Sequence, residues 1–250
     1  MDRNEGHFPL WFTEKVIEDW GDRTDISKLE NYLLSKYLTN SSLAVIEAGT
    51  GAGVLSFFIE ESLKFDKITA FDIIPEMIDR ALIKSKEKKS NIHFTYGDAS
   101  NLKNFKPNEF HYMVYLQQIL SMIPCDRLDH ALNRAHNIGT ADGIFIFSFL
   151  DWDSRWYNPI VSFKINLVRF LSGRKIQKYY LPELKFNSRL NKEFFKKNQH
   201  SIFWAKKKHL VQLLNNAGFK IEVCYKEEEL TKFKGRALYL ICKKNSEFML

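Results

Sequence analysis

Apolar and polar positions along the chain fall into two alternating patterns. Short dense apolar runs are separated by longer stretches in which apolar residues recur every three or four positions. The runs read as strands, the stretches as helices that cover them. Leu43-Ala44-Val45-Ile46 ends in Glu47, glycines follow at 49, 51 and 53, and Val54, Leu55, Phe57, Phe58 and Ile59 then keep helical spacing. That order predicts a strand, a tight turn and a buried helix start. Lys67–Asp72 is a second strand ending in an acid, and Pro75 opens a helix with Met77, Ile78, Ala81 and Leu82 inward. Asn91–Tyr96 is a third strand, followed by Gly97-Asp98-Ala99. His111–Leu116 is a fourth, followed by Gln117 and Gln118. A helix over Asp126–Ile138 leads to a fully apolar fifth strand, Gly143–Leu150. Strand–helix alternation of this kind predicts an α/β fold with a doubly wound, mostly parallel sheet.

Both flanks of this core add something. Before the first strand, Trp11, Phe12, Val16, Ile17 and Trp20 suggest one amphipathic helix. Leu29, Tyr32, Leu33, Leu34, Tyr37 and Leu38 suggest another, with Ser27 as its N-cap. After the fifth strand, residues 151–203 form an insertion with a helix over Tyr157–Leu171, whose wide apolar stripe is Val161, Ile165, Val168 and Leu171, flanked by Phe163, Leu167 and Phe170. A helix over Lys206–Ala217 then stops at Gly218, and Phe219–Tyr225 and Ala237–Lys243 alternate like a β-hairpin pair.

The glycine turn excludes two nucleotide loops. A dinucleotide fingerprint counted from Gly49 and Gly51 needs its third glycine at position 54, which is Val54. A phosphate-gripping P-loop needs Gly-Lys-Ser/Thr, and no lysine occurs between Leu43 and Leu63. Glu47 would also repel a pyrophosphate, whereas it suits a ligand carrying positive charge.

The string Glu47-x-Gly49-x-Gly51-x-Gly53 resembles the first motif of the class I S-adenosylmethionine-dependent methyltransferases. Their cofactor carries an ammonium and a sulfonium. Phe71-Asp72-Ile73-Ile74-Pro75-Glu76-Met77 resembles the second motif, and Gly97-Asp98-Ala99 the third. The resemblance implies that Glu47, Ala48, Gly49, Thr50, Gly51, Gly53 and Met77 line the cofactor, that Asp72 accepts both ribose hydroxyls, and that Ile73 lies against the adenine. It also implies that Asp98 faces the adenine amino group and that Gln117 and Gln118 touch the methionine part. Read without it, Asp72 could be a helix N-terminal acid and Asp98 the head of an Asx-type turn. The fourth strand matches more loosely, because the family often begins it Phe-Asp and here His111 or Tyr112 stands second. The close of the chain resembles the family's seven-stranded sheet, whose last strand is antiparallel. On this reading residues 43–150 and 204–244 are the Rossmann-like core, 1–41 an N-terminal helical cap, and 151–203 a substrate cap, all in one domain.

Composition narrows the setting. The 250 residues are 45% apolar, enough for one well-buried α/β domain. Cys125, Cys224 and Cys242 are scattered, with no C-x-x-C, so no metal site or disulfide framework is expected. No signal-like leader and no apolar run of 18 residues is present, which points to a soluble, cytoplasmic protein without a transmembrane segment. The net charge of +7 is concentrated: Asp151–His209 holds 14 Lys/Arg against 4 Asp/Glu, a balance of +10. A solvated basic face, an anionic small-molecule acceptor, RNA and an anionic membrane surface are all compatible with it. For an acceptor pocket the candidates are Trp11, Trp152, Arg155, Trp156, Tyr157, Arg174, Tyr179, Tyr180 and Arg189. A general base, where the acceptor must lose a proton, would be His7 or His200, with His111 behind them. The expected activity is methyl transfer from S-adenosylmethionine, leaving S-adenosylhomocysteine, to an O or N atom of a small, anionic metabolite. An RNA methyltransferase and a non-catalytic cofactor-binding protein are the alternatives. No Asn-Pro-Pro-Tyr or Asp-Pro-Pro-Tyr string follows the fourth strand, as it does in many enzymes that methylate exocyclic base amines.

Overall fold

The structure, a computed structural model, describes residues 21–182, 201–231 and 235–245. The first expected helix, with Trp11 and Trp20, lies outside them, as do His7, Arg189 and His200.

The described chain runs α1 (Lys28–Tyr37), β1 (Val45–Ala48), α2 (Val54–Glu61), β2 (Ile68–Asp72), α3 (Pro75–Lys88), β3 (His93–Tyr96) and β4 (Phe110–Tyr115). It continues α4 (Ile119–Met122), α5 (Leu128–Ile138), β5 (Gly139–Asp151), a 3-10 turn (Trp152–Ser154), α6 (Asn158–Leu171), β6 (Tyr180–Pro182) and β7 (Ser201–Ala205). Last come α7 (Lys207–Asn216), β8 (Phe219–Lys226), α8 (Glu227–Leu230) and β9 (Ala237–Lys244).

Strands β3-β2-β1-β4-β5 lie side by side and parallel. β9 then pairs antiparallel with β5 on one side and β8 on the other. These seven strands are the expected sheet. The order reverses between β1 and β4, so the crevice for a ligand opens beyond the carboxyl ends of those two strands. The dense apolar runs make the central strands β1 and β4 buried on both faces, as a sheet covered by helices on each side requires. One layer packs Leu33 and Leu34 of α1, Leu55 and Ile59 of α2 and Ile78 and Ala81 of α3. The other packs Leu132 and Ala135 of α5 and Leu210 and Leu214 of α7. Leu82, expected inward, is exposed, because its place on the turn of α3 falls beside that stripe.

Two short strands exceed the expected seven. β4 accompanies β5 only as far as Phe147, and beyond it Leu150 and Asp151 pair in parallel with Trp204 and Ala205 of β7. β6 pairs antiparallel with β7. The insertion is thus stitched to the carboxyl edge of the sheet. No described helix is long and apolar enough to cross a membrane.

Candidate functional site

The turn after β1 holds three glycines in the left-handed region, at φ +69° (Gly49), +55° (Gly51) and +87° (Gly53). The Gly49 and Thr50 amides donate to the Phe71 carbonyl of β2 at 2.8 and 3.1 Å, which folds the turn back over the sheet. The glycines serve different ends. A Cβ on Gly49 would lie 2.2 Å from the Ile119 side chain, and one on Gly53 would press into the Phe57 and Phe94 rings. At Gly51 it would meet nothing within 4 Å. The backbone there faces open space, where a ligand can approach it closely.

Carboxylates ring this turn. Glu47, buried in β1, accepts the hydroxyls of Thr50 (2.9 Å) and Ser56 through one oxygen, Oε2. Burial pushes its pKa up to about 7, against those two hydroxyls, and the charges of Glu30 and Asp72 raise it further. Asp72, at the end of β2, accepts the Gly51 amide on one oxygen (2.8 Å) and the Ile74 amide on the other (2.9 Å). Burial holds its pKa above the usual range, and the Ile74, Gly51 and Ile73 amides oppose the shift. A carboxylate oxygen has two acceptor positions, so each keeps one for a hydroxyl. The third acid is Glu30 in the first turn of α1. It forms a capping box with Ser27, pairs with Arg23 and accepts Gln117 Nε2 at 3.2 Å. Burial works to raise its pKa, but the Arg23 guanidinium and the Ser27 amide outweigh it, so Glu30 lies below the usual range.

The remaining motif residues stand on the same edge. The Gly97 amide donates to the Asp72 carbonyl at 3.0 Å, tying the turn after β3 to β2. Oδ1 of Asp98 accepts the Ser100 amide and hydroxyl, both at 2.8 Å, which is the Asx turn; Oδ2 has no hydrogen bond among the described residues. Ile73 is half-buried, and Met77 and Ala99 are buried. After β4, Gln117 and Gln118 both take φ +59°, a conformation that costs a non-glycine residue free energy and is held here by tertiary bonds. The Gln118 amide donates to Ser148 Oγ of β5 at 2.7 Å, while Gln117 reaches Glu30.

The insertion residues are spread more widely. Trp152 and Tyr180 are buried, Trp152 in a small apolar cluster with Leu150, Ile165 and Trp204. Tyr179 stacks on His209 at 4.6 Å and meets Trp152 edge-on at 5.2 Å. Arg155 lies 4.9 Å over the Trp204 ring and donates to the Tyr157 hydroxyl at 2.8 Å. Trp156 and Arg174 are exposed. His111 sits at the amino end of β4, opposite the crevice, with Thr140 and Asp142. Three residues central to this geometry escaped sequence reasoning: Glu30, Ser56 and Ile119. The spacing Ser27-x-x-Glu30 was a legible capping box, but it announces a helix start rather than a site.

These groups fit an adenosyl sulfonium. Asp72 is buried and bonded to the Gly51 amide, Glu47 is buried near the end of β1, and the space beside Gly51 leaves room for a ligand. Comparison with known proteins agrees. Residues 45–143 match a family model described as a methyltransferase domain. A demethylmenaquinone methyltransferase from Leptospira interrogans is 28% identical over 98 residues, 38% of this chain and 39% of that protein. The match therefore spans well under half of the curated relative. Among solved structures, an S-adenosylmethionine-dependent methyltransferase from Clostridium acetobutylicum superposes with TM-score 0.59 at 15% identity, over 92% of each chain. The 1,6-didemethyltoxoflavin-N1-methyltransferase of Burkholderia thailandensis, with S-adenosylhomocysteine bound, gives 0.60 at 16%, over 92% of this chain and 82% of that one. At such identities the structures speak for the fold, and the family model for the domain. Residues 45–143 thus match a methyltransferase domain, in a chain whose fold is that of an S-adenosylmethionine-dependent methyltransferase.

Proposed function

We propose that the whole chain transfers a methyl group from S-adenosylmethionine to an oxygen or nitrogen atom of a small acceptor. The observation that carries this is the meeting of the open Gly51 backbone, buried Asp72 and buried Glu47 at the β1/β4 reversal. When bound, S-adenosylmethionine supplies a methyl carbon made electrophilic by its sulfonium. The chain's part is alignment and exclusion of water. Asp72 takes the ribose hydroxyls, Oδ2 of Asp98 the adenine amino group, and Glu47 balances the positive charge. Gln117 and Gln118, held at strained backbone angles by Glu30 and Ser148, orient the methionine end. The acceptor enters from the insertion side, where Arg155 and Tyr157 stand by Trp204; an anionic acceptor suits that guanidinium. The methyl acceptors named for the two relatives, a demethylmenaquinone and a didemethyltoxoflavin, are compatible with a small acceptor. Incubation with methyl-labelled S-adenosylmethionine should label a small-metabolite fraction and leave total RNA unlabelled. Label confined to RNA would replace the small acceptor with a nucleic acid, and no label in either pool would remove the catalytic reading.

Glu47 gives this reading a pH signature. Its ordinary pKa is 4.5 and its folded value about 7. Below 4.5 it is protonated in both the folded and unfolded states; between the two values only the unfolded state ionises. Ionisation there favours unfolding, so the free protein loses stability as pH rises from 4.5 to 7, by about 3 kcal/mol in all. A cation favours the ionised carboxylate, so affinity for S-adenosylmethionine should rise about tenfold from pH 6 to pH 8. Glu47→Gln should flatten both trends. Calorimetry and thermal melts across that range measure them, and an unchanged pH profile in Glu47→Gln would remove Glu47 from the charge balance.

A further inference from the structure

The helix α6 is turned inside out. Its inner face is polar and bonded: Asn158 Nδ2 donates to the Trp152 carbonyl at 2.8 Å, and Ser162 Oγ to that of Lys178 at 2.6 Å. Arg169 donates to the carbonyls of Gln177 (2.9 Å) and Tyr180 (3.1 Å) and to Ser201 Oγ (3.1 Å). Of the expected apolar stripe only Ile165 is buried and Val161 half-buried, while Val168 and Leu171 are exposed. Around them Ile160, Phe163, Leu167 and Phe170 also face outward, Phe163 at 70% and Phe170 at 67% exposure. Of the thirteen exposed large apolar side chains among the described residues, eight fall between Trp156 and Ile176. A helix meeting only water shows the opposite arrangement, and the other five exposed apolar side chains, Tyr32, Leu82, Ile83, Tyr96 and Val211, are spread over four elements.

Charge says what covers this face. From Ser154 to Pro182 the sequence holds no Asp or Glu, but it holds Arg155, Lys164, Arg169, Arg174, Lys175 and Lys178. Lys164 on the helix and Arg174, Lys175 and Lys178 just after it are exposed beside the apolar face. Exposed Phe, Leu and Trp next to lysine and arginine is the composition that settles at the boundary of headgroups and acyl chains. A second copy of the chain would bring the same cations against themselves, which argues against it. RNA would use the cations but leave the apolar side chains in water.

We propose that α6 and the residues that follow it dock this protein on an anionic lipid surface, with the apolar face at acyl-chain level and the cations among the phosphates. The helix follows directly from β5 at the carboxyl edge of the sheet, so docking brings the crevice edge toward the bilayer. The inference does not depend on the identity of the acceptor.

The test is co-sedimentation of the full chain with phosphatidylcholine vesicles, with and without phosphatidylglycerol. Binding is expected to need phosphatidylglycerol and to weaken with salt. The double variant Phe163→Glu and Phe170→Glu should lose at least about tenfold in binding, and Lys164→Glu with Lys175→Glu should lose a similar amount and its salt dependence. All four side chains are exposed, so melting temperature and S-adenosylhomocysteine affinity should not change. Failure to bind phosphatidylglycerol vesicles at low salt, or undiminished binding by the phenylalanine variant, would overturn the proposal. So would dimers that this variant dissociates without any vesicle binding, or RNA binding that it leaves intact while vesicles are ignored.

Discussion

Gly51→Val is expected to abolish S-adenosylmethionine binding while the fold persists. The backbone at Gly51 has φ +55°, and a side chain there meets no protein atom within 4 Å. The substitution therefore acts in two separable ways. Left-handed backbone costs a residue with a Cβ about 1–2 kcal/mol, more when it is β-branched, which a domain of ordinary stability survives. The isopropyl group also fills the space where a ligand would reach the Gly51 backbone, so affinity should fall by more than about a hundredfold, or 2.7 kcal/mol. Gly49→Ala is the contrast. Its Cβ would lie 2.2 Å from Ile119, so it should lower the melting temperature along with affinity. Calorimetry and thermal melts on the two variants separate the effects. Undiminished affinity in Gly51→Val would move the cofactor away from the glycine turn.

Asp72→Ala is the second large effect. Two charge-assisted hydrogen bonds to a ribose diol, at roughly 1.5–3 kcal/mol each, set the expected loss. Part of it appears even without ligand. Asp72 accepts the Gly51 and Ile74 amides, so its removal unties the glycine turn from the start of α3. Affinity should fall at least about a hundredfold and the melting temperature should drop. Asp72→Asn keeps an acceptor oxygen, and should recover stability more than affinity. A variant that melts early yet binds normally would make Asp72 a structural acid only.

The sheet was legible because its signals are local. Apolar runs, the glycines at 49, 51 and 53, Pro75 and Gly218 each mark a strand, turn or helix boundary within a few residues. Asp72 and Asp98 were legible for the same reason, each lying at the end of a readable strand. Glu30 was not. Its role depends on Gln117, 87 positions away, and on a burial that no local pattern reports. Ser56 looked like one polar position in an apolar helix, although its hydroxyl is bound to Glu47. The left-handed turn at Gln117 and Gln118 carries no glycine to announce it. The periodicity of α6 gave a stripe but not its direction, because spacing fixes which residues share a face and not which face meets the core. Polar Asn158, Ser162 and Arg169 won the inner side by hydrogen bonding to backbone carbonyls of the insertion itself.

The turn at Gly49–Gly53 with Asp72 is proposed as an adenosyl-sulfonium site and not a dinucleotide site. Calorimetric titration of the wild-type chain with S-adenosylhomocysteine, beside NAD under the same conditions, tests it most directly. A saturating one-site isotherm is expected for S-adenosylhomocysteine and no heat from NAD, since Val54 stands where the dinucleotide turn needs glycine. Micromolar NAD binding, or no binding of S-adenosylhomocysteine by folded protein, would contradict it.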